Sequence, residues 1–304
     1  MSNSKIYHIK TITELHRFCN LEKPKHPLVS VIDYSKVNLP AETGSIICDC
    51  YSIAIKKGVN FDFKYGQQVY DFDEGVMIFT APKQVIKIEN KDIDGINREG
   101  WILYIHPDFL WNTSLAKSIK QYEYFDYSVN EALFLSEKEE SLINSLVQNI
   151  DDEYRSNIDK FSQGIIISHI ESLLNYSERF YQRQFITRKI TNHKILDRLE
   201  VLLNKYFDSD DLVTKGLPTV QYLAENLTIS QSYLSGLLKN LTGKSTQHHI
   251  QDKIIEKAKE KLSTTDLSVS EIAYTLGFEF PQSFSKLFKT KTNLSPLKFR
   301  QSFN

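Results

Sequence analysis

The sequence predicts an α+β protein with more than one domain, in which an antiparallel β-sandwich or barrel is followed by helices that continue to the C-terminus. Three observations lead to this class. Short β-branched stretches fill residues 28–106, helical periodicity replaces them after Pro107, and two similar segments recur near the C-terminus. A chain of 304 residues is long enough for two or three domains, each with its own core.

The composition, with 41% hydrophobic and 25% charged residues, is that of an ordinary globular protein. There is no apolar run of membrane-spanning length, and the N-terminus lacks the layout of a signal peptide, so we expect a cytosolic protein without a membrane segment. The three cysteines, Cys19, Cys48 and Cys50, have no metal-site spacing. We interpret them as small packing residues in a reducing compartment.

Charge is unevenly distributed along the chain. The net charge is −1, yet residues 280–304 carry five basic and no acidic side chains. A basic block in an otherwise slightly acidic chain is typical of a surface for an anionic partner such as nucleic acid, although short basic tails are often merely solvated.

The strand-rich region has turn signals at short intervals, such as Tyr65-Gly66 and Ala81-Pro82. This rhythm predicts an antiparallel sandwich or barrel. The predicted strands are "PLVSVIDY", "SIICDCYSIAIK", "VNFDFKYG", "GVMIFTAP", "QVIKIEN" and "WILYIHP".

Two helices are predicted after this region. In the first, Ser136 and Glu139 form a capping box, and the apolar stripe is Leu142, Leu146 and Ile150. The second has a broad apolar face, which comprises Ile166, Ile170, Leu173, Leu174 and Phe180. Such a helix pair packs on the barrel or on a second copy of the chain. The basic, polar stretch at 186–194 is interpreted as a linker.

An internal repeat organises the C-terminal part, because residues 220–245 resemble residues 269–295. Leu223 corresponds to Ile272 at an offset of 49, and Leu234 corresponds to Phe284 at an offset of 50. Each copy contains a short helix, a tight turn and a second helix. The repeat therefore predicts two helix-turn-helix motifs.

The second copy carries clear local signals. Ser268 and Glu271 form a capping box, Gly277 supplies a left-handed turn, and Pro281 begins the next helix. Phe284, Leu287 and Phe288 are predicted to face the core of the domain. The predicted outward residues are Gln282, Ser283, Ser285, Lys286 and Lys289 in this copy, and Gln231, Ser232, Tyr233, Ser235 and Lys239 in the first. Amides, hydroxyls and lysines suit the base edges and phosphates of a DNA major groove.

A long helix is predicted between the two copies, with Ile250, Ile254, Ala258 and Leu262 at steps of four. It is interpreted as a rigid spacer, which lets two recognition helices address adjacent major-groove segments about 34 Å apart. The alternative is a bundle of small helices whose polar faces only meet solvent.

The segment "SVSEIAYTLGFEFPQSFSKLFKTKTNLSPLKFR", residues 268–300, resembles the AraC/XylS family of bacterial transcription regulators. The resemblance is strong over about 110 residues. It implies a cupin-like β-barrel sensor ahead of the DNA-binding part, double-stranded promoter DNA and RNA polymerase as partners, a homodimer, and activation more often than repression. The DNA-reading positions that it implies are Gln231, Ser232, Ser235, Gly236, Pro281, Gln282, Ser285 and Lys286.

Three positions depart from the family pattern. Gly236 replaces a basic or polar reader, so the first helix is expected to read fewer bases. Asn293 stands where glycine usually ends the recognition helix, and asparagine tolerates that conformation. Phe280 replaces a capping side chain.

Signals for an enzyme are lacking in the sequence. Only His26 and His106 fall at the two ends of the strand-rich region, far apart, and His248-His249 lies on the spacer helix. We therefore expect no catalytic residue, no metal and no cofactor. A cupin-like small-molecule-binding or enzymatic module with a helical appendage is the alternative. The many aromatics of the N-terminal half either pack the core or line a pocket for a small effector.

The predicted domains are a β-barrel sensor at 1–133, a helical dimerisation and linker segment at 134–190, and a double helix-turn-helix domain at 191–304. The predicted mechanism is that effector or partner binding changes how two copies sit on paired half-sites.

Overall fold

The computed structural model describes residues 5–39, 44–57, 76–88, 99–127, 131–156, 159–187, 189–209 and 211–302. The chain divides into two compact units, Met1–Gln184 and Phe185–Asn304. Within the described residues, the longest and most apolar helices fall short of what a membrane span requires.

The first unit contains eight described strands in two sheets. The strands are β1 (Lys5–Ile9), β2 (Val29–Asp33), β3 (Gly44–Cys48), β4 (Tyr51–Lys57), β5 (Val76–Thr80), β6 (Val85–Ile88), β7 (Glu99–Ile105) and β8 (Leu133–Phe134). One sheet has the order β1-β3-β6 and the other the order β2-β7-β4-β5-β8. In the larger sheet, Ile53 of β4 lies opposite Leu103 of β7 and Phe79 of β5, and all three side chains are buried.

The predicted antiparallel barrel is not confirmed. The described strands form two separate sheets that do not close on each other, and β1 runs parallel to β3, with Ile9 opposite Cys48. Alternation of apolar residues is the same in parallel and antiparallel pairs, so the sequence pattern does not determine the pairing partner. The predicted strand at 59–66 lies outside the described residues.

Four described α-helices belong wholly or mainly to the first unit: α1 (Ile12–Phe18), α2 (Leu115–Ser118), α3 (Glu137–Arg155) and α4 (Ser162–Thr187), whose last three residues lie in the second unit. Short 3-10 turns occupy Tyr34–Lys36, Pro107–Leu110, Ile119–Gln121 and Glu123–Asp126. The predicted capping box of α3 is confirmed, since Ser136 and Glu139 exchange both hydrogen bonds. All five predicted core residues of α4 are buried.

Two helix predictions need correction. The buried stripe of α3 is Ile143, Val147, Ile150 and Tyr154, so the stripe predicted through Leu142 and Leu146 was about one position off. The predicted linker at 186–194 is helical at each of its described residues, since α4 runs to Thr187 and the next helix begins at Lys189. That stretch contains no glycine or proline that would end a helix.

All three cysteines are buried in a single apolar cluster of the first unit, as their interpretation as packing residues predicted. Burial raises the pKa of the Cys19 thiol to about 11, which keeps it neutral at physiological pH.

All regular secondary structure in the described part of the second unit is helical. Its helices are α5 (Lys189–Phe207), α6 (Asp211–Lys215), α7 (Val220–Leu227), α8 (Gln231–Thr242), α9 (Thr246–Thr264), α10 (Val269–Thr275), α11 (Pro281–Thr292) and α12 (Pro296–Gln301). The long helix α9 contacts α5, α8, α10, α11 and α12. Its predicted stripe of Ile250, Ile254, Ala258 and Leu262 is buried, so the predicted spacer helix is confirmed.

Candidate nucleic-acid interface

The first helix-turn-helix motif consists of α7, a short turn and α8. Thr228 is the C-cap residue of α7, and its φ of 63° is left-handed. Ser230 then caps α8, and its hydroxyl accepts a hydrogen bond from the backbone N–H of Tyr233 at 3.1 Å. The turn is thus held by one left-handed residue and one side-chain cap.

The second motif, α10 followed by α11, repeats this design with different residues. The Ser268 N–H donates to the Glu271 carboxylate at 2.7 Å, and the Glu271 N–H donates to the Ser268 hydroxyl at 3.2 Å, so the predicted capping box is confirmed. Gly277 has a φ of 78°, as predicted. Pro281 begins α11 after Phe280, which gives no side-chain cap, and Asn293 ends α11 in the left-handed conformation.

Corresponding side chains of the two copies form the buried faces of the motifs. The pairs Leu223/Ile272 and Leu234/Phe284 are each completely buried. The repeat therefore places α8 and α11 in equivalent structural roles.

The predicted outward face of α11 is accessible. Gln282, Ser283, Lys286 and Lys289 are exposed, whereas Pro281 and Ser285 are half-buried. The residues at positions 282, 286 and 289 recur at helical spacing, so they share one side of α11. An amide and two lysines thus lie on the side opposite the buried Phe284 and Phe288.

The outward face of α8 is smaller than predicted. Gln231 and Lys239 are exposed, and Ser232, Ser235 and Gly236 are half-buried. The Ser235 hydroxyl lies 3.3 Å from the hydroxyl of Thr246, at the beginning of α9.

The prediction that Tyr233 faces outward was wrong. This side chain has no exposed surface, and its ring packs edge-to-face on Phe185 with centroids 5.2 Å apart. Tyr233 lies one helical turn before the buried Leu237, at the edge of the apolar face, and Phe185 of α4 packs against it. Tyr233 is therefore a core residue and is removed from the candidate DNA-reading set.

An ion-pair triad, which sequence reasoning missed, joins the ends of both motifs to α9. The Asp252 carboxylate receives Lys244 Nζ on one oxygen at 2.7 Å and Lys291 Nζ on the other at 2.9 Å. Partial burial raises the pKa of Asp252, but the hydrogen bonds and the positive charges of Lys244 and Lys291 together outweigh it, so the pKa lies below its usual value. No local sequence signal joins these residues, because they are contributed by three different elements.

Arg300 was also missed as a structural contact, although it belongs to the basic block. Its guanidinium donates to the carbonyl oxygens of Leu262 and Leu267, at 3.2 and 2.6 Å. These carbonyls flank the connection from α9 to α10, so Arg300 fixes α12 onto the start of the second motif.

The aromatic side chains of the first unit were predicted either to pack the core or to line an effector pocket. Phe79 packs on Tyr124 and Phe125, with ring centroids 4.4 and 5.5 Å away. Phe61, Phe63, Tyr65, Tyr70 and Phe72 lie outside the described residues. Among the residues that the structure describes, no group of histidine, cysteine or acidic side chains is arranged to hold a metal ion.

A polar cleft of about 500 Å³ lies between α3 and the larger sheet. In it, the Trp101 indole N–H donates to the Asn144 amide oxygen at 2.7 Å, and the Lys57 ammonium lies 2.7 Å from the Glu140 carboxylate. Among the residues that the structure describes, Trp101 is the one aromatic side chain that lines this cleft.

Two reading helices with polar outer faces, packed on one spacer helix, define the second unit as a tandem helix-turn-helix DNA-binding domain. Residues 223–302 match the family model described as "Helix-turn-helix domain". This domain is of the AraC type, and the chain is related to the helix-turn-helix transcriptional regulators.

Three relatives illustrate this similarity. The chain is 31% identical over 116 residues to an uncharacterized HTH-type transcriptional regulator in the cgkA 5' region of Pseudoalteromonas carrageenovora, covering 38% of this chain and 64% of that protein. It is 25% identical over 244 residues to the uncharacterized HTH-type transcriptional regulator YfiF of Bacillus subtilis, covering 78% and 72%. It is 38% identical over 79 residues to the HTH-type transcriptional activator RhaS of Salmonella arizonae, covering 26% and 28%. The match thus spans less than two thirds of the first and third of these proteins.

Proposed function

We propose that this chain regulates transcription by binding promoter DNA with α8 and α11 in adjacent major-groove segments. The observation that carries the proposal is the duplicated geometry: each helix buries an apolar face on the domain and leaves amide, hydroxyl or lysine side chains on the other. A major groove admits an α-helix and is read by amides, hydroxyls and cationic side chains.

The two helices contribute unequally in this proposal. On α11, Gln282 and Lys286 are exposed together and are assigned to bases, and Lys289 to phosphate. On α8, Gln231 is the main base contact and Lys239 the phosphate contact. Gly236 offers no side chain, so α8 discriminates fewer bases than α11.

The first unit, whose described strands form two sheets, is assigned a sensing role within this proposal. The domain limits proposed for the chain stay at 1–133, 134–190 and 191–304, with the middle segment joining two copies into a homodimer. A dimer places four recognition helices on paired half-sites. RNA polymerase is the proposed partner at the promoter, and DNA binding in a bacterial cell agrees with the expected cytosolic location.

The function is tested by selection of the full chain against a random DNA pool at two salt concentrations, followed by sequencing. The double variant Gln282→Ala with Lys286→Ala is compared with a matched control, Lys205→Ala with Gln221→Ala. The control removes the same side-chain types from exposed positions on α5 and α7. We expect the wild type and the control to enrich one motif, and the double variant to lose part of it.

Salt dependence separates base reading from electrostatic attraction. Removal of one phosphate-contacting lysine reduces the salt slope by about one, whereas loss of a base contact relaxes one motif position. Binding of the wild type that is salt-sensitive but enriches no sequence would contradict the proposal, because it would reduce the basic block to a non-specific anchor.

A further inference from the structure

We propose that Asp252 is a positioning residue that fixes the separation of the two recognition helices and thereby the spacing between the half-motifs that one chain accepts. This inference rests on the DNA-binding function proposed above. It concerns how far apart the two motifs are held, which the reading side chains themselves do not determine.

The geometry is a bridge with three members on three elements. Asp252 is on the spacer helix α9, Lys244 is in the turn that follows α8, and Lys291 is in the last turn of α11. Each carboxylate oxygen takes a different ammonium group, at 2.7 and 2.9 Å. A single side chain thus ties the C-terminal ends of both recognition helices to the same point on the spacer.

The internal repeat does not account for this bridge. At the offset of 50, the position equivalent to Lys291 is Leu241, and the position equivalent to Lys244 is Leu294. Each copy contributes its lysine from a different place, and both lysines converge on one carboxylate. The bridge is therefore a feature of the junction between the copies and not of either motif.

Local contacts restrict the position of Lys244, which follows the first motif. The Lys244 backbone N–H donates to the hydroxyl of Thr242 at 3.2 Å, and that hydroxyl lies 2.9 Å from Nε2 of His249 on α9. The Lys291 side chain is only 22% exposed, so its ammonium has little freedom to turn elsewhere. Both lysines are thus held within hydrogen-bonding distance of the Asp252 carboxylate.

Apolar packing and the bridge have different roles in the domain. The buried stripe of α9 holds the helices together, whereas charge-assisted hydrogen bonds have preferred directions and add geometric specificity. Asp252 is 38% exposed, so its replacement leaves the apolar core intact. We therefore expect an Asp252 variant that is folded and has a less sharply defined distance between α8 and α11.

The experiment uses the full chain and the bipartite motif that the wild type selects. A panel of duplexes carries the same two half-motifs, and the spacer between them is shortened or lengthened by one base pair. The dissociation constant of each duplex is measured by fluorescence anisotropy. Asp252→Asn keeps the side-chain shape but removes the charge. The matched control is Asp208→Asn, because Asp208 pairs with Lys257 of the same spacer helix at 2.7 Å without contacting a recognition helix in that pair.

We expect the wild type and Asp208→Asn to bind one spacing more tightly than the others. In Asp252→Asn, the ratio of dissociation constants between the other spacings and this one is expected to fall about five-fold. Two partly exposed ion pairs can supply a free-energy difference of this size. Lys291→Gln removes only the ion pair between Asp252 and the second motif, and it is expected to weaken the spacing preference as well. Selection from a random pool returns the same half-motifs for all variants, since the reading side chains are untouched.

An undiminished spacing preference in Asp252→Asn would overturn the inference. So would uniformly tighter binding to every duplex with a steeper salt dependence, because the lysines would then have been released to phosphates instead of positioning helices. If the wild type enriches no motif at all, the proposed function fails and this inference fails with it. If the wild type enriches a motif but Asp252→Asn has the same spacing preference as the wild type, the proposed function stands and only the inference about Asp252 fails.

Discussion

Gly277 lies directly against the backbone of Leu212, and a Cβ added to the glycine would stand 2.7 Å from the Leu212 carbonyl oxygen. Its φ of 78° also falls in the left-handed region. Glycine is thus required here for two separate reasons, conformation and space. The contact joins the turn of the second motif to α6, a helix that precedes both motifs.

We expect Gly277→Ala to lower the free energy of unfolding of the second unit by about 3 kcal/mol, from left-handed strain and the backbone clash together. Gly243→Ala is the matched control, since Gly243 has a φ of 71° but no atom within 4 Å of an added Cβ. Its expected loss is about 1 kcal/mol. Native-state hydrogen exchange of amides in α10 and α11 reports this unit separately. Equal losses in the two variants would contradict the role of the Leu212 contact.

Thr228 occupies the position that Gly277 holds in the other copy, with a φ of 63°. A β-branched residue is strained in this conformation, whereas asparagine tolerates it. We therefore expect Thr228→Asn to raise the free energy of unfolding by about 1 kcal/mol. Thermal unfolding of the second unit measures this change in the free energy of unfolding. A lower stability would mean that the threonine side chain makes a compensating contact.

Tyr233 and Lys239 lie on the same recognition helix but have opposite environments. Tyr233→Ala removes a buried ring and is expected to cost about 3–5 kcal/mol of stability. Lys239→Ala is expected to leave stability within about 0.5 kcal/mol and to reduce the salt slope of DNA binding by about one. Denaturation and DNA titrations on both variants distinguish these roles. A stable Tyr233→Ala variant with weakened DNA binding would reverse the assignment.

Hydrogen bonds from Ser268 lower the pKa of Glu271 in the folded chain below its usual value. The unfolded state therefore binds more protons in acid, so the stabilisation by this capping box is present above the unfolded pKa and is lost as the pH falls through the folded one. We expect NMR titration to show a Glu271 pKa that moves upward in Ser268→Ala and stays unchanged in Ser283→Ala. An unchanged Glu271 pKa in Ser268→Ala would show that Ser268 does not cause the lowered pKa.

Much of the second unit was predictable because its signals are local. The capping pair Ser268 and Glu271, the turn at Gly277 and the stripe through Ile254 and Ala258 each lie within a few residues of one another. Helix geometry converts such spacings directly into caps and buried faces. The one wrong residue in the reading face, Tyr233, is buried and packs on Phe185, a contact that no local pattern predicts.

The first unit was harder to predict because its structure depends on pairing between distant strands. The parallel pairing of β1 with β3 brings Ile9 opposite Cys48 across a long stretch of sequence. Strand patterns report which face is buried and leave the partner undetermined. The junction triad at Asp252 was missed for the same reason, since its three members come from separate elements.

The separation of faces on α11 has a consequence for how regulatory networks diversify. Phe284 and Phe288 maintain the fold, while Gln282 and Lys286 project outward without being buried. Under the proposed function, substitutions at those outward positions alter sequence preference with little effect on stability, because exposed positions tolerate change. After gene duplication, a descendant of this chain is therefore able to acquire new target promoters by a few substitutions, without a compensating change in its interior.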